Sequence, residues 1–191
     1  MTVEEIDEQL GKLSAERETL NTKIAELRRG RPAEPVTDYT LHASSGEKVK
    51  LSDLFGDKKD LLVIHNMGRG CVYCTLWADG FNGFTGHLED RAAFVLISPD
   101  TPEQQSRFAE GRGWTFKMAS ADGTTFIKDM GYEPNAGEHW PGVSAFRKQD
   151  DGSIVRVSRD YLGPGDVYCS IWHLFGMLAD GVNEWEPKYK Y

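Results

Sequence analysis

An α/β fold with a central mixed sheet and helices on both faces is the architecture this chain predicts. Three observations carry that expectation. Two runs, Leu61-Leu62-Val63-Ile64-His65-Asn66 and Ala92-Ala93-Phe94-Val95-Leu96-Ile97, read as strands buried on both faces. Helical patterns opening at Cys71 and Thr101 follow them, and strand–helix alternation with short connections builds parallel sheets. Two further strand patterns, Val143–Arg147 and Ile154–Ser158, flank Gln149-Asp150-Asp151-Gly152, a hairpin turn that adds antiparallel pairing.

Taken in order, residues 3 to 29 read as one helix. Ile6, Leu10, Leu13, Leu20, Ile24 and Leu27 alternate at four and three residues, with Arg17 standing where another apolar residue is due. That is a heptad seam. Two readings stand for it: an amphipathic helix docked on its own domain, or the arm of a homodimer through residues 3–29. Arg28 and Arg29 suit the helix C-terminus and Gly30 ends it. Residues 31–36, with Pro32 and Pro35, read as a linker, so residues 1–30 form the leading helix and 37–191 the compact domain.

Thr37–Leu41 and Lys48–Leu51 read as a hairpin around Ser44–Glu47. Ser52 then caps a short helical turn that Gly56 stops. The helix from Cys71 carries Gly80, Gly83 and Gly86, each costing about 1 kcal/mol relative to alanine, which predicts a break near Gly80–Gly83. Thr101, Pro102 and Gln104 supply an N-cap, a proline at the first helical position and a capping-box partner. A strand over Trp114–Ala119, a helix over Thr124–Met130 and a last helix over Val167–Ala179 complete the reading. The tail from Glu184 carries no functional pattern.

The net charge of −8 argues against a nucleic-acid partner, which needs a basic face. No run approaches the roughly 20 apolar residues of a membrane span, and the acidic N-terminus lacks the apolar core of a secretory signal. The expected compartment is the cytoplasm. Three cysteines make no disulfide framework, and a close pair in a reducing compartment points to redox chemistry or metal binding.

That pair is Cys71-Val72-Tyr73-Cys74. Strand, glycine-containing loop and helix start place both sulfurs in a first helical turn, where free N–H groups and the helix dipole favour a thiolate. The functional reading is reversible dithiol–disulfide exchange, with Cys71 as exposed nucleophile and Cys74 as resolving thiol. Against it stand two others: both cysteines as small buried hydrophobes, and a zinc set completed by Cys169 and His173, four residues apart on one helix face. The packing reading of Cys169 and His173 among Ile171, Trp172 and Phe175 is preferred to the zinc one. Arg69 is a candidate to stabilise the thiolate or to bind an anionic substrate. His65 is a candidate general base or a core residue, with the core preferred. His139 reads as a surface loop residue, and Asp79 as a cap for the broken helix.

Several stretches carry a family resemblance. Lys50-Leu51-Ser52-Asp53-Leu54-Phe55-Gly56 and the strand before the cysteines are similar to the alkyl hydroperoxide reductase/thiol-specific antioxidant branch of the thioredoxin superfamily. Trp77-Ala78-Asp79-Gly80-Phe81-Asn82-Gly83, Gly113-Trp114-Thr115-Phe116 and Gly142-Val143-Ser144-Ala145-Phe146 resemble, more narrowly, the DUF899 group of thioredoxin-like proteins. The resemblance implies a thioredoxin-like three-layer fold with an N-terminal β-hairpin extension and a leading amphipathic helix. It also implies thiol chemistry, with no settled substrate for the family. The chemistry of the pair calls for a protein or small-molecule disulfide or peroxide substrate and a thiol reductant, and no cofactor is expected. Two positions depart from the wider superfamily. Gly68 stands where peroxiredoxins carry threonine, and Ser144 is aligned to the cis-proline that faces the thiols in thioredoxins. Ser144 is therefore a candidate supporting residue.

Overall fold

Residues Met1–Tyr191 are all described by the structure, a computed structural model. One eight-stranded sheet organises the chain. Its strands are β1 (Glu34–Val36), β2 (Thr40–Ala43), β3 (Lys48–Lys50), β4 (Asp60–His65), β5 (Ala93–Ser98), β6 (Lys117–Ser120), β7 (Gly142–Lys148) and β8 (Ile154–Tyr161). They lie in the order β1-β8-β7-β4-β5-β6-β2-β3. The centre, β4-β5-β6, is parallel, and both flanks are antiparallel. Helices cross over between the parallel strands, tight turns join β2 to β3 and β7 to β8, and the antiparallel pairs β1–β8, β2–β6 and β4–β7 bring together strands distant in sequence.

Each face of the sheet holds its own core. On one side Leu61, Val63, Val95 and Ile97 meet Phe55, Phe126, Met130 and Tyr132. These come from a 3-10 turn (Leu51–Phe55) and from α4 (Phe126–Asp129) with the residues after it. On the other side Ile64, Phe94 and Leu96 meet Trp77, Ala78 and Phe81 of α2 (Val72–Arg91) and Trp172 of α5 (Ser170–Phe175). The helix α3 (Pro102–Arg112) completes that layer, and its Gln105 side chain donates to Ser98 Oγ and the Ala119 carbonyl at the sheet. Alternation along β4 therefore decides which face each residue serves, and it sends His65 to the side opposite α2.

Several expectations need correction. The second half of the linker is strand: Glu34–Val36 pairs with Arg156–Ile154 of β8. Pro35 is tolerated because β1 is an edge strand, and the Arg156 guanidinium binds the Glu34 carboxylate. The 3-10 turn is capped by Asp53, which accepts from the Lys50 N–H at 3.0 Å, and not by Ser52. Ser52 spends its N–H and hydroxyl on the Asp38 carboxylate instead. The strand expected from Trp114 starts only at Lys117, because Trp114 N–H closes the end of α3 on the Ala109 carbonyl. The last helix is also shorter than expected. Asp166 accepts from the N–H groups of Gly163, Tyr168 and Cys169, holding that approach in a loop until Ser170.

The largest difference lies in α2, which runs unbroken through Gly80, Gly83 and Gly86. Trp77, Ala78, Phe81 and Thr85 are buried on its inner face, while the three glycines are exposed. Burial of two large aromatic side chains outweighs a propensity cost paid on the solvent side. Asp79 is consequently no cap. Its carboxylate binds Arg112 and accepts from Trp114 Nε1 at 2.8 Å, tying α2 to the end of α3.

The leading helix α1 (Val3–Arg29) has the expected bounds, with a Thr2/Glu5 capping box at its start. It has no buried residue. Its seam does not dock in cis, and only its last turns reach the body, where Arg28 pairs with Asp160.

A Cβ placed at Gly80, Gly83 or Gly86 meets nothing within 4 Å. Alanine at each position is expected to raise unfolding stability by roughly 0.5–1 kcal/mol in denaturant titration. A loss of stability would mean that α2 is interrupted in solution.

Candidate active site

The dithiol sits where the C-terminal end of β4 hands over to α2, and the loop between them is tied down residue by residue. Asn66 Oδ1 accepts from Gly68 N–H at 2.8 Å. Gly68 adopts φ +99°, and an added Cβ there would lie 2.9 Å from the Asp100 carboxylate. Asp100, just past β5, accepts from the Arg69 N–H at 2.7 Å. A threonine at position 68 would need both a left-handed backbone and the space Asp100 occupies. That is the physical reason glycine stands there.

Cys71 is the N-cap of α2, and its Sγ accepts from the Cys74 N–H at 3.1 Å. The sulfur thus takes the place that a serine or aspartate oxygen fills at an ordinary helix start. Its carbonyl accepts from both the N–H and the hydroxyl of Thr75, locking the first turn. Cys71 is half-buried, Cys74 is buried, and no disulfide joins them.

The two thiols are pushed in opposite directions. Cys71 falls to about 6, chiefly through the hydrogen bond from the Cys74 thiol and then through the backbone N–H groups of Cys74 and Tyr73, against the opposing effect of burial. The dipole of a 20-residue helix acts in the same sense. Cys74 is pushed up, first by that same hydrogen bond to Cys71, then by burial and the neighbouring thiolate charge. One thiolate and one protonated thiol share the helix start.

The remaining candidates fall in different places. Arg69 is 54% exposed and its Nε lies 3.8 Å from Asp100. It is not among the groups that lower Cys71, so thiolate stabilisation comes from the Cys74 thiol first and then from the backbone N–H groups of Cys74 and Tyr73. His65 is fully buried on the other face of the sheet, stacked on Tyr132 at 3.9 Å and on Phe126 at 5.6 Å. Its Nε2 lies 3.0 Å from Ser144 Oγ, and Tyr132 Oη lies 3.3 Å from the same hydroxyl. Burial pushes its pKa down to about 3, helped by the Arg156 charge, so the ring is neutral. Ser144 is three residues into β7, opposite Val63, and serves this buried cluster. Pro141 immediately precedes β7, and the chain contains no cis peptide bond.

The zinc set is not assembled. No three His, Cys, Asp or Glu side chains are grouped to hold a metal ion. Cys169 packs in the core beside Trp172, while His173 is exposed with Nε2 at 3.1 Å from the Asp166 carbonyl. His139 lies in the loop before β7.

Sequence reasoning missed three participants. Asp100 and Asn66 shape the loop, and their position just past β5 and β4 was the available signal, since ligands and sites gather at the C-terminal ends of parallel strands. Tyr189, from the tail, carried no signal. Its hydroxyl donates to the Arg69 carbonyl at 3.2 Å, and Arg112 Nη1 donates to the Tyr189 carbonyl at 2.6 Å. The tail therefore lies against the loop that carries the dithiol. Its phenol is pushed up by burial and then by the negative charge of the Cys71 thiolate.

The sheet order and the layers are those of a thioredoxin-like, peroxiredoxin-type fold. The chain belongs to the family described as bacterial protein of unknown function (DUF899), whose model matches residues 6–191. Among solved structures it is similar to a peroxiredoxin-like protein from Aquifex aeolicus, at 15% identity and TM-score 0.55, over 68% of this chain and 75% of that one. It is similar to the peroxidoxin BcpB from Mycobacterium tuberculosis, at 24% identity and TM-score 0.52, over 64% and 80%. The mitochondrial 2-Cys peroxiredoxin from Plasmodium falciparum matches at 14% identity and TM-score 0.54, over 68% and 82%. No curated protein sequence matches significantly. No helix is long and apolar enough to cross a membrane.

Alkylation of Cys71 followed against pH is expected to rise with a midpoint near 6, well below the unperturbed value of about 8.5. A midpoint at 8 or above contradicts the hydrogen-bonded thiolate. For His65 the unfolded chain binds the extra proton between about pH 6.5 and 3, so its contribution is complete above 6.5 and is lost as pH falls. Unfolding stability is expected to drop by on the order of 1 kcal/mol per unit across pH 6 to 4, and His65→Leu should flatten that slope. An unchanged slope in the variant would assign it to other groups.

Proposed function

We propose that this protein is a thiol–disulfide oxidoreductase in which Cys71 attacks and Cys74 resolves. The observation that carries the reading is the asymmetry of the pair: a half-buried sulfur lowered to about 6 at the N-cap, beside a buried thiol held protonated. At neutral pH only Cys71 is a nucleophile in quantity. Its thiolate attacks one sulfur of a substrate disulfide, forming a mixed disulfide and releasing the other sulfur as a thiolate. Cys74 then gives up its proton and attacks Cys71 Sγ, expelling the second substrate thiolate and leaving the Cys71–Cys74 disulfide. An external dithiol reductant supplies the two electrons that reopen it. Arg69, exposed two residues before Cys71, is the group available to meet an anionic part of a substrate.

A second reading is supported by the peroxiredoxin-like neighbours. In it Cys71 attacks a hydroperoxide, taking one oxygen as a sulfenate and releasing the alcohol. Cys74 then condenses with the sulfenic acid, giving the same disulfide and water. Gly68 lacks the hydroxyl that would help hold the peroxide, and this favours disulfide exchange as the first reading.

Cys71→Ser is expected to reduce turnover of a model disulfide to background, while Cys74→Ser accumulates a covalent mixed disulfide with the substrate on non-reducing mass spectrometry. Turnover with hydroperoxide in place of disulfide separates the two readings. Full activity in Cys71→Ser, or no Cys71–Cys74 disulfide after mild peroxide, removes both and leaves a non-catalytic thioredoxin-fold protein.

A further inference from the structure

We propose that α1 is the pairing element of a symmetric dimer, in which two copies of the helix lie antiparallel along their full length. The inference stands apart from the thiol chemistry and rests on surface, seam and charge.

The chain exposes 11656 Å². A compact monomer of 21.4 kDa exposes only about 9100 Å². The excess of roughly 2500 Å² belongs with a 27-residue helix that buries nothing and touches the body only at its last turns. A stable association needs about 800 Å² from each partner, so pairing of this helix has surface to spare. The seam is the part that water least favours. Val3, Leu10, Leu13 and Leu27 are exposed by 55% or more, and Ile6, Leu20 and Ile24 by 41–51%. They fall at the a and d positions of one heptad seam interrupted only at Arg17, the pattern that packs knobs into the holes of a second helix.

The occupant is a second copy because the seam is complementary to its own reverse. Laid antiparallel, Val3 faces Leu27, Ile6 faces Ile24, Leu10 faces Leu20 and Leu13 faces Arg17 of the other copy. Every seam residue finds a mate, and both helices overlap from end to end. The charge follows the same order. Residues 1–15 carry Glu4, Glu5, Asp7 and Glu8 against Lys12, a net −3. Residues 16–31 carry Arg17, Lys23, Arg28, Arg29 and Arg31 against Glu16, Glu18 and Glu26, a net +2. Antiparallel pairing sets acidic halves against basic ones. At the two-fold axis Arg17 lies beside Glu16 of both copies, with its stem on the seam and its head free to reach the carboxylates.

Parallel pairing has the opposite character. Arg17 would face Arg17, Lys23 at a flanking position would face Arg28, and each acidic half would face another acidic half. The antiparallel form also brings the first residues of one copy to Leu27–Arg29 of the other. There a hollow of about 170 Å³, lined by Arg28, Leu62, Val143, Ala145 and Tyr168 among others, opens on the sheet face.

The full-length protein is expected to sediment as a dimer at micromolar concentration. Leu13→Glu with Leu20→Glu should give a monomer whose dithiol still oxidises and reduces, with the cores and Cys71 reactivity intact. Orientation is read by pulsed electron resonance with bioorthogonal labels. Labels at Glu4 should lie about 33 Å apart along the axis, since 22 residues of helix separate Glu4 from the residue facing its own mate. Labels at Ala15 should show no axial offset. A short distance at both positions would overturn the antiparallel arrangement. A monomer at all concentrations, with α1 still helical, would overturn the dimer and leave the seam to a partner of another kind.

Discussion

The hydrogen bond from the Cys74 N–H to Cys71 Sγ is the interaction on which the rest of the site depends. A helix start leaves backbone N–H groups without partners, and the residue before it normally supplies an oxygen. Here a sulfur does so. The sulfur is worth most to the helix as a thiolate, and the thiolate is worth most beside the helix, so local structure and reactivity reinforce one another. Asn66, Gly68 and Asp100 matter because they deliver Cys71 to that position. A loop with Asp100 against Gly68 has no room for the side chain that peroxiredoxins carry there.

The sheet separates this chemistry from a second polar cluster that could be mistaken for part of it. His65 ends the same strand that leads to the dithiol, yet strand alternation turns it to the opposite face. Stacked between Tyr132 and Phe126 with Ser144 at its Nε2, the imidazole is a packing residue that burial keeps neutral. Its cost at low pH is the cost of any buried base that must stay uncharged.

Beyond the core domain, two segments differ in how they are held. The tail is bound at specific points: Tyr189 to the Arg69 carbonyl, Arg112 to Tyr189, and Trp185 against Trp172 and Phe175. Through Tyr189 it touches the loop before Cys71. The leading helix is capped and fully formed yet leaves its apolar seam in water.

Patterns with a local cause were legible in the residues alone. The heptads of α1, the Thr101–Pro102–Gln104 helix start, the β7–β8 hairpin and the strand–loop–helix around the cysteines each depend on neighbours within a few positions. The α/β class and the dithiol followed from them. What the tertiary structure decided was everything set by contacts distant in sequence. Packing of Trp77 and Phe81 carries α2 straight through three glycines; pairing with β8 makes a strand of the proline-bearing Glu34–Val36. Asp166 delays α5, and the sheet divides His65 and Ser144 from the thiols. Propensity and spacing report the energy of a turn or two. Which face a side chain takes, and which partner it finds there, is settled by burial summed across the whole sheet.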